Sequence, residues 1–365
     1  MENLNSVTEE VFKKWTRRQI PQKGDVILTR EAPLGEVGLL RVERKVFLGQ
    51  RLVAYRADPT KLDNRFLLYS FLAPDLKRQV MSFGSGATVE HMRVPDAEKL
   101  TVLLPDLPTQ QRIADVLSAY DDLIENNNRR IKILEETVQK IYTEWFVNFR
   151  FPGHEHVKMV DTGTEFGMIP EGWEVKVLSD VVDINPSYNT KNQRDFKKIS
   201  MDRLSNDSML IDTDRIEMFS KVSGSKFKNH DVLFARITPC LENGKTGYVQ
   251  CLKENEIAFG STEYIVMRGS KVPNTFVYCL ARNSEFRKAA QKTMSGASGR
   301  QRVANEFFKK YMVAVPTPEI LKMFQEIVGT AFTEIEELRK TNQNLKKSRD
   351  LLIPQLVTGK RNILI

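Results

Sequence analysis

An internal repeat constrains the fold of this 365-residue chain more than any other feature of its sequence. Residues 24–33 (GDVILTREAP) and residues 230–239 (HDVLFARITP) share Asp, Val, Arg and Pro in the same register. The two segments lie about 206 positions apart, and further matches follow in the same order. These matches pair 35–38 with 244–247, 85–88 with 295–298, and Pro105 and Pro108 with Pro316 and Pro318. Such a repeat predicts that one structural unit occurs twice.

Each copy is predicted to contain a mixed α/β module followed by a long helix. Short apolar runs at residues 26–28 and 232–234 are typical of strands, and the Gly/Pro clusters behind them are typical of turns. Amphipathic patterns at residues 66–80 and 275–290 predict helices. The expected fold class is therefore α+β, with two α/β modules joined by two long antiparallel coiled-coil helices in a pseudo-twofold tandem repeat.

The two copies are unequal in length. The second module opens at residues 169–173 (IPEGW), whereas the counterpart of Trp173 in the first copy would precede Met1. We therefore expect the first module to lack about 40 N-terminal residues, either by divergence or through a shortened reading frame. The expected boundaries are 1–105 for the first module, 106–152 for the central helix, 153–168 for a linker, 169–316 for the second module and 317–365 for the C-terminal helix.

Both long helices carry a narrow apolar seam with the alternating spacing of a coiled coil, and the seams are expected to pair. The first seam comprises Ile113, Leu117, Tyr120, Ile124, Asn127, Ile131, Leu134, Val138, Ile141 and Trp145. The second comprises Phe324, Val328, Ala331, Ile335, Leu338, Asn342, Leu345, Arg349, Leu352 and Leu356. Thr109 is predicted to cap the first helix, and residues 151–153 (FPG) are predicted to end it.

Each seam contains one asparagine, Asn127 or Asn342. A single Asn at a seam position typically fixes the register of a coiled coil at some cost in stability. If the helices pair antiparallel within the chain, we expect these two asparagines to face each other. The alternative is that each helix packs on its own module, but the stripe is narrow and longer than a module of this size can cover.

The composition is that of a basic chain without signs of secretion or membrane insertion. The net charge of +8 and the pI of about 9.2 are compatible with a polyanionic partner without requiring one. No apolar run approaches the roughly 18 residues of a membrane span, and the N-terminus lacks a signal-peptide pattern. The three cysteines have no metal-ligand spacing, so we expect reduced thiols in a cytoplasmic protein with no membrane partner.

Several fragments imitate catalytic motifs without the context that the chemistry needs. Residues 244–246 (GKT) lack the earlier glycine of a P-loop and precede a strand-like segment. Residues 185–188 (NPSY) are similar to the Asn-Pro-Pro-Tyr box of adenine methyltransferases, but no glycine-rich loop for S-adenosylmethionine accompanies them. The four histidines suggest neither a metal triad nor a Ser-His-Asp arrangement. The sequence therefore predicts a binding protein rather than an enzyme.

Four segments resemble the specificity (S) subunits of type I restriction–modification enzymes. They are residues 104–114 (LPDLPTQQRIA), 145–153 (WFVNFRFPG), 169–173 (IPEGW) and 351–359 (LLIPQLVTG). The resemblance implies that each module is a target recognition domain for one half of a split DNA site. It also implies that the helices set the distance between the half-sites and dock other subunits.

The same resemblance implies partners and cofactors. The chain would recognise double-stranded DNA, dock adenine-N6 methyltransferase (M) subunits and assemble with restriction (R) subunits, without catalysing a reaction itself. It would hold no cofactor, because S-adenosylmethionine belongs to M, and ATP and magnesium belong to R. Two other classes stay open: a self-contained DNA methyltransferase or nuclease, and a coiled-coil scaffold that binds protein.

The matched glycine loops contain the main candidates for DNA contact, although a solvated turn would have a similar composition. The candidates are Thr88, His91 and Arg93 in the first copy and Ser298, Arg300, Gln301 and Arg302 in the second. Arg30 and Arg236 follow the matched strands. Each is expected either to contact a phosphate or to pair with the aspartate before its strand, Asp25 or Asp231. Lys245, in the glycine turn, is expected to meet a phosphate.

Overall fold

The computed structural model describes residues 6–85, 90–164, 166–214, 216–297 and 299–360. The chain divides into two compact units. The first unit comprises Met1–Asn126 and Thr341–Ile365, and the second comprises Asn127–Lys340. Among the residues described, no helix has the length and the apolar content that a bilayer span requires.

The described residues form helices and strands in both units, which confirms the α+β class. The helices are α1 Glu9–Trp15, α2 Asn64–Leu72, α3 Pro74–Ser82, α4 Val94–Ala97, α5 Leu107–Tyr142, α6 Asn274–Arg282, α7 Ser284–Lys292, α8 Asn305–Lys310 and α9 Pro318–Val357. The strands are β1 Val26–Thr29, β2 Val37–Leu39, β3 Leu52–Tyr55, β4 Met159–Asp161, β5 Met168–Pro170, β6 Glu174–Val177, β7 Val182–Ile184, β8 Phe196–Ile199, β9 Glu217–Phe219, β10 Ser225–Lys228, β11 Val232–Ala235, β12 Thr246–Tyr248, β13 Ile257–Gly260, β14 Tyr264–Gly269, β15 Met294–Ser295, β16 Arg302–Val303 and β17 Met312–Val315.

A three-stranded antiparallel sheet, β2-β1-β3, forms the centre of the first module. Alternate side chains of β1 are buried because one face of the sheet packs against α2 and α3. Leu28 of β1 packs there with Leu67 of α2 and Val80 of α3. Pro74 begins α3 directly after α2 ends, since proline lacks the amide hydrogen that would continue the first helix. The single helix expected at residues 66–80 is therefore two helices.

The second unit repeats this arrangement as β12-β11-β14, and β7 extends the same sheet along β14. The pair α6 and α7 follows these strands as α2 and α3 follow theirs. The break between α6 and α7 lies at Asn283, whose side chain accepts the N–H groups of Glu285 and Phe286. The helix expected at residues 275–290 is thus also two helices. The structure confirms a unit that occurs twice.

The second unit also contains a four-stranded sheet, β10-β13-β8-β9. Its inner face packs Phe227, Ala258 and Ile199 against Leu233 and Val266 of the repeated sheet. The described residues of the first unit include no counterpart of this sheet, and α1 lies in the corresponding stretch of chain. The inequality expected between the two modules is therefore visible in their architecture.

The segment before each long helix differs between the units. In the second unit β17 pairs antiparallel with β6. The repeat aligns residues 101–104 with β17, but these residues form no strand, and the described part of the first unit has no counterpart of β6. Leu103 and Leu104 are consequently 62% and 51% exposed, whereas Ala314 of β17 is 7% exposed. One position of the repeat is thus a paired strand in the second unit and an open apolar segment in the first.

Within the first unit, α5 and α9 pack antiparallel. Leu117 of α5 shares a hydrophobic cluster with Ile353 and Leu356 of α9. Asp121, one turn further along α5, forms an ion pair with Arg349, one turn earlier in α9. This pair explains how the seam of α9 accommodates an arginine.

Within the second unit, α5 and α9 are also antiparallel. Tyr142, at the end of α5, packs against Phe324 near the start of α9, with 6.4 Å between their ring centroids. Arg130, earlier in α5, forms an ion pair with Glu334, later in α9. Residues later in α5 therefore contact residues earlier in α9, which is the antiparallel pairing that the sequence predicted.

Most residues predicted to pair the helices are buried. The buried members are Ile113, Leu117, Ile124, Asn127, Ile131, Ile335, Leu338 and Asn342. Leu134 and Leu345 are half-buried. Eight of these ten positions are thus buried. The pairing of Asn127 with Asn342 stays a prediction.

Two expectations about helix ends were wrong, and one segment is more regular than expected. Asp106, not Thr109, caps α5, because its Oδ1 accepts the Thr109 N–H at 2.8 Å. The α-helix ends at Tyr142 and continues as one π-helical turn, Thr143–Val147, before the predicted stop. Residues 153–168, expected as a linker, include β4, which pairs with β5 in an antiparallel hairpin.

Candidate nucleic-acid interface

The glycine loop of the second copy is the tip of a short hairpin. β15 pairs antiparallel with β16, so that Ser295 faces Arg302. Gly296 has a φ of +122° and Gly299 a φ of +77°, which are conformations that L side chains rarely adopt. Glycine at these positions allows the chain to reverse, and Arg300 is exposed in the loop.

Backbone hydrogen bonds fix this hairpin to the segment that follows β11. The N–H of Thr238 donates to the carbonyl of Gln301, and the N–H of Gln301 donates to the Thr238 hydroxyl, both at 3.0 Å. The N–H of Val303 donates to the carbonyl of Arg236, also at 3.0 Å. Gln301 therefore anchors the loop through its backbone, close to the exposed tip.

An acidic side chain positions two of the predicted arginines. Glu263, in the turn before β14, forms ion pairs with Arg302 at 2.8 Å and with Arg236 at 3.3 Å. Hydrogen bonds and charge from Arg302 first, and then from Arg236, hold the pKa of the Glu263 carboxyl below its usual range. Arg236 also donates to Asn305 at 3.0 Å. The cluster retains a net positive charge and restrains both guanidinium planes, which favours bidentate recognition of phosphate or guanine.

Arg300 has a different environment from these two arginines. Its side chain is exposed, and within the described part of the chain no ion pair or hydrogen bond engages it. Arg302 is also 47% exposed despite its pairing with Glu263. The hairpin therefore presents one unrestrained and one restrained guanidinium to solvent, which is a suitable combination for a DNA surface.

The first unit contains the same framework. Ser85 and His91 form an antiparallel bridge, His91 forms a second bridge with Glu31, and the N–H of Met92 donates to the carbonyl of Arg30 at 2.9 Å. These contacts correspond to those of the second hairpin, with His91 at the position of Arg302. His91 is exposed. The matched loops thus have equivalent places in the two modules.

Two other predicted contacts of the first module have partners within the fold. The Arg30 guanidinium donates to the carbonyls of Met92 and Gln50, so it joins two backbone segments. Arg93 is exposed but pairs with Asp96 at 2.8 Å. The predicted hydroxyl contacts, Thr88 and Ser298, lie outside the described residues.

Lys245 is also engaged inside the fold. Its ammonium donates to the carbonyls of Met201 at 2.8 Å and Leu204 at 3.1 Å. Both hydrogen bonds would have to break before this lysine could reach a phosphate, so the geometry does not support the expected role. The segment after it forms strand β12, which agrees with the exclusion of a P-loop.

The aspartates before the matched strands have partners other than those considered from the sequence. Asp231 is fully buried and pairs with Arg268 at 2.6 Å, and Asp25 pairs with Arg56 at 2.8 Å. The alternative that Arg236 or its counterpart fills this role was therefore wrong. The reason is that β3 and β14 run antiparallel to β1 and β11, which brings their final residues beside the turn.

Cys279 is a core residue, and the partly buried Cys251 packs against the core. Burial raises the pKa of the Cys251 thiol to about 11 and raises that of Cys279 well beyond its usual range. Both therefore stay protonated near neutral pH and are poor nucleophiles. In the ranges that the structure describes, no three His, Cys, Asp or Glu side chains are grouped as metal ligands.

A solved structure with the same fold is the type I restriction–modification S subunit from M. genitalium. The two chains are 15% identical with a TM-score of 0.53, and the alignment covers 95% of this chain and 85% of that one. At this identity the likeness establishes the fold. The architecture is therefore that of a restriction–modification S subunit.

The chain belongs to the family of the type I restriction modification DNA specificity domain, which matches residues 1–136 and 170–347. Two similar proteins come from Methanocaldococcus jannaschii. The type I restriction enzyme MjaIX specificity subunit is 25% identical over 98% of this chain and 82% of its own length. The MjaVIII specificity subunit is 23% identical over 96% of this chain and 82% of its own length. These matches confirm the resemblance, and the role of the chain is DNA specificity rather than catalysis.

Sequence reasoning missed several residues of this surface. Glu263 gave no signal, because a single acidic residue in a turn is unremarkable until its two arginine partners are brought to it. Lys226 and Lys228 did carry a signal, since they alternate with Phe227 at the two-residue period of a strand with one buried face.

Proposed function

We propose that the chain recognises a bipartite DNA site and that each module contacts one half-site. The observation that carries this proposal is a shared framework in both units: a three-stranded sheet, a helix pair, and a loop bridged to the segment that follows the first strand. Two copies of one framework on one chain suit two half-sites, and membership in a DNA specificity family supplies the ligand class. The proposed recognition domains are residues 1–105 and 169–316.

In the second module, the proposed contacts centre on the hairpin. Arg302 and Arg236 are restrained by Glu263 and suit contact with base edges or phosphate, while exposed Arg300 suits a phosphate. Ser298 and Gln301 complete the proposed set.

The proposed contacts of the first module are His91, Arg93 and Thr88. Arg30 and Lys245 are left out of both sets because their charged groups already bind backbone carbonyls.

The long helices are proposed to set the distance between half-sites and to dock adenine-N6 methyltransferase (M) subunits. Both helices expose large apolar side chains away from the buried seams, which favours protein contact over a purely solvated surface. These side chains are Leu123 and Ile133 on α5 and Ile327 and Leu351 on α9. Restriction (R) subunits would join the assembly. In it, S-adenosylmethionine would bind to M, and ATP and magnesium would act in R. The location would be cytoplasmic.

The test is to co-express the chain with its M subunit and map N6-methyladenine across the host genome. A split motif with two defined parts is expected. The double variant Arg300→Ala/Arg302→Ala should lose methylation of that motif, because loss of a bidentate base contact by Arg302 costs about 1–3 kcal/mol of discrimination and loss of the Arg300 phosphate contact weakens binding further. The matched control Lys253→Ala/Lys271→Ala removes two exposed lysines of the same unit and should methylate normally.

Three results would contradict parts of the proposal. Unchanged methylation by the arginine variant would remove the hairpin from the interface. Binding of S-adenosylmethionine by the isolated chain would favour a self-contained methyltransferase. A complex with no DNA sequence preference would favour a protein-binding scaffold.

A further inference from the structure

A cavity of about 260 Å³ lies in the second unit, beside the sheet that has no described counterpart in the first. Its lining consists of Asn185, Pro186, Ser187, Tyr188, Gly224, Ser225, Lys226 and Val266. The lining includes amide, hydroxyl and ammonium groups but no carboxylate. These groups suit an anionic ligand better than a cation.

The loop that forms one wall of the cavity is fixed at its first residue. The N–H of Asn185 donates to the carbonyl of Val266 at 2.7 Å, and its Oδ1 accepts the N–H of Val266 at 2.9 Å. Asn185 has a φ of +53°, a conformation that asparagine tolerates better than most residues. Within the described residues no hydrogen bond engages its Nδ2, so two N–H donors stay available to a ligand.

The lysines of β10 supply positive charge on the same side. Lys226 and Lys228 alternate with buried Phe227 and therefore project from the opposite face of the strand. Lys228 Nζ lies 5.2 Å from the centre of the Tyr188 ring, a cation–π distance. In the part of the chain described, neither lysine forms an ion pair.

The nearby acid does not neutralise these lysines. Asp231 accepts hydrogen bonds from the Tyr188 hydroxyl at 2.8 Å and from Arg268 at 2.6 Å. Arg268 also donates to the Tyr188 oxygen at 2.9 Å. These contacts fix the Tyr188 ring at the edge of the cavity. They also pair the buried Asp231 carboxylate with Arg268 rather than with either lysine.

The cavity and the hairpin border the same turn, residues 261–263. A Cβ on Gly224, at the cavity, would lie 2.0 Å from the carbonyl oxygen of Gly260, which precedes this turn, and 3.5 Å from the Thr262 nitrogen within it. Glu263, at the end of the turn, binds Arg302 of the hairpin. A polymer that contacts the hairpin can therefore continue to the cavity.

We propose that this cavity binds a phosphodiester group of the DNA backbone, as a contact point of the second module separate from its hairpin. The inference rests on the proposed DNA recognition and extends it to a site that was not predicted from the sequence. Phosphate oxygens only accept hydrogen bonds, so a lining of donors with unpaired lysines matches them. The contact would be particular to the second module, because the sheet that supplies β10 has no described counterpart in the first.

The test measures the salt dependence of DNA binding by the complex with M. The probe is a fluorescein-labelled duplex that carries the mapped motif, and affinity is followed by anisotropy between about 50 and 200 mM NaCl. Lys226→Gln should reduce the magnitude of the slope of log K against log[salt] by about 0.9. Between about 50 and 200 mM NaCl, the DNA affinity of this variant should therefore fall about 3.5-fold less than that of the unmodified chain. Ser187→Asp, which adds a carboxylate to the lining, should weaken binding without altering the preferred sequence.

Two controls accompany these variants. Lys322→Gln removes an exposed lysine of α9 and should leave the slope unchanged. Lys226→Arg keeps the charge and should retain the original slope.

The outcomes separate this inference from the proposed function. If the unmodified complex shows no preference for the motif, the proposed function fails first. If the preference is intact but Lys226→Gln and Ser187→Asp bind with unchanged slope and affinity, the cavity is not a DNA site. If Lys226→Gln changes the preferred sequence while the slope stays constant, the cavity contacts a base and the phosphate assignment is overturned.

Discussion

Removal of the Arg268 guanidinium should destabilise the second unit strongly. Arg268 is the ion-pair partner of Asp231, whose side chain is 0% exposed. Burial already raises the pKa of this carboxyl despite the arginine, which shows that its charge is held away from water. Removing one partner of a buried pair typically costs about 3–5 kcal/mol, because the remaining charge is left uncompensated. Arg268→Ala should therefore lower the melting temperature of a unit of this size by about 6–20 °C.

The equivalent pair of the first unit is an internal control. Asp25 is 2% exposed, but Arg56 is 39% exposed, compared with 21% for Arg268. Solvent screens the more exposed pair, so Arg56→Ala should destabilise its unit by less than Arg268→Ala does. The exposed lysine variant Lys322→Ala should change stability by at most about 0.5 kcal/mol.

The assay is thermal unfolding followed by circular dichroism, with hydrogen exchange to locate the destabilised unit. The loss of stability caused by Arg268→Ala should be largest near neutral pH. It should shrink as the pH falls, because loss of the arginine raises the pKa of Asp231 in the folded state and the protonated acid needs no counter-charge. The double variant Asp231→Asn/Arg268→Met should recover much of the loss, since neither charge remains. A melting temperature for Arg268→Ala equal to that of Lys322→Ala would refute this reasoning.

Two further predictions concern the unequal edges and the arginine cluster. Leu103→Lys should change unfolding free energy by no more than about 0.5 kcal/mol, whereas Ala314→Lys, at the matching position of paired β17, should cost well over 1 kcal/mol in urea titrations. Equal free-energy costs for the two substitutions would mean that the segment at residues 101–104 is covered rather than exposed. The pKa of Glu263 is lowered in the folded state. Its ion pairs therefore stabilise the fold at pH values above its ordinary pKa of 4.5, and this stabilisation is lost as the pH falls through the folded pKa. The stability difference between the unmodified chain and Glu263→Gln should accordingly be present at neutral pH and disappear in acid, and a difference independent of pH would contradict the ion pairs.

Much of the candidate site was predictable because it lies in the repeat. The glycine loops at residues 85–88 and 295–298 were recognised by their matched sequences, and the structure gives them equivalent bridges. In the second copy Gly296 has a positive φ, a local requirement for glycine that is visible in sequence. The partners of individual charges were not predictable in the same way. Lys245 was expected to meet a phosphate because of its place in a turn, but carbonyls about 40 positions earlier in the chain accept its hydrogen bonds.

The helix seams also combine a part that was predictable from the sequence with a part that was not. Spacing alone identified most of the buried seam positions of α5 and α9, because a helix that buries a stripe must repeat its apolar residues with the helical period. The ends of these helices were less well predicted. Asp106 replaces Thr109 as the cap, and a π-helical turn follows Tyr142, since caps and last turns depend on which hydrogen-bond partners lie within reach.

The sequence by itself determined the repeat, the α+β class, the seam positions and the family, since each depends on local patterns that every copy of the fold must carry. Tertiary structure alone decided which charges are available to DNA. Arg30 and Lys245 bind backbone carbonyls, Arg302 is restrained by Glu263, and Lys226 lines an unpredicted cavity. The physical reason is that a side chain's charge is fixed by its residue type, whereas its hydrogen-bond partners and its exposure are set by segments that are distant in the chain.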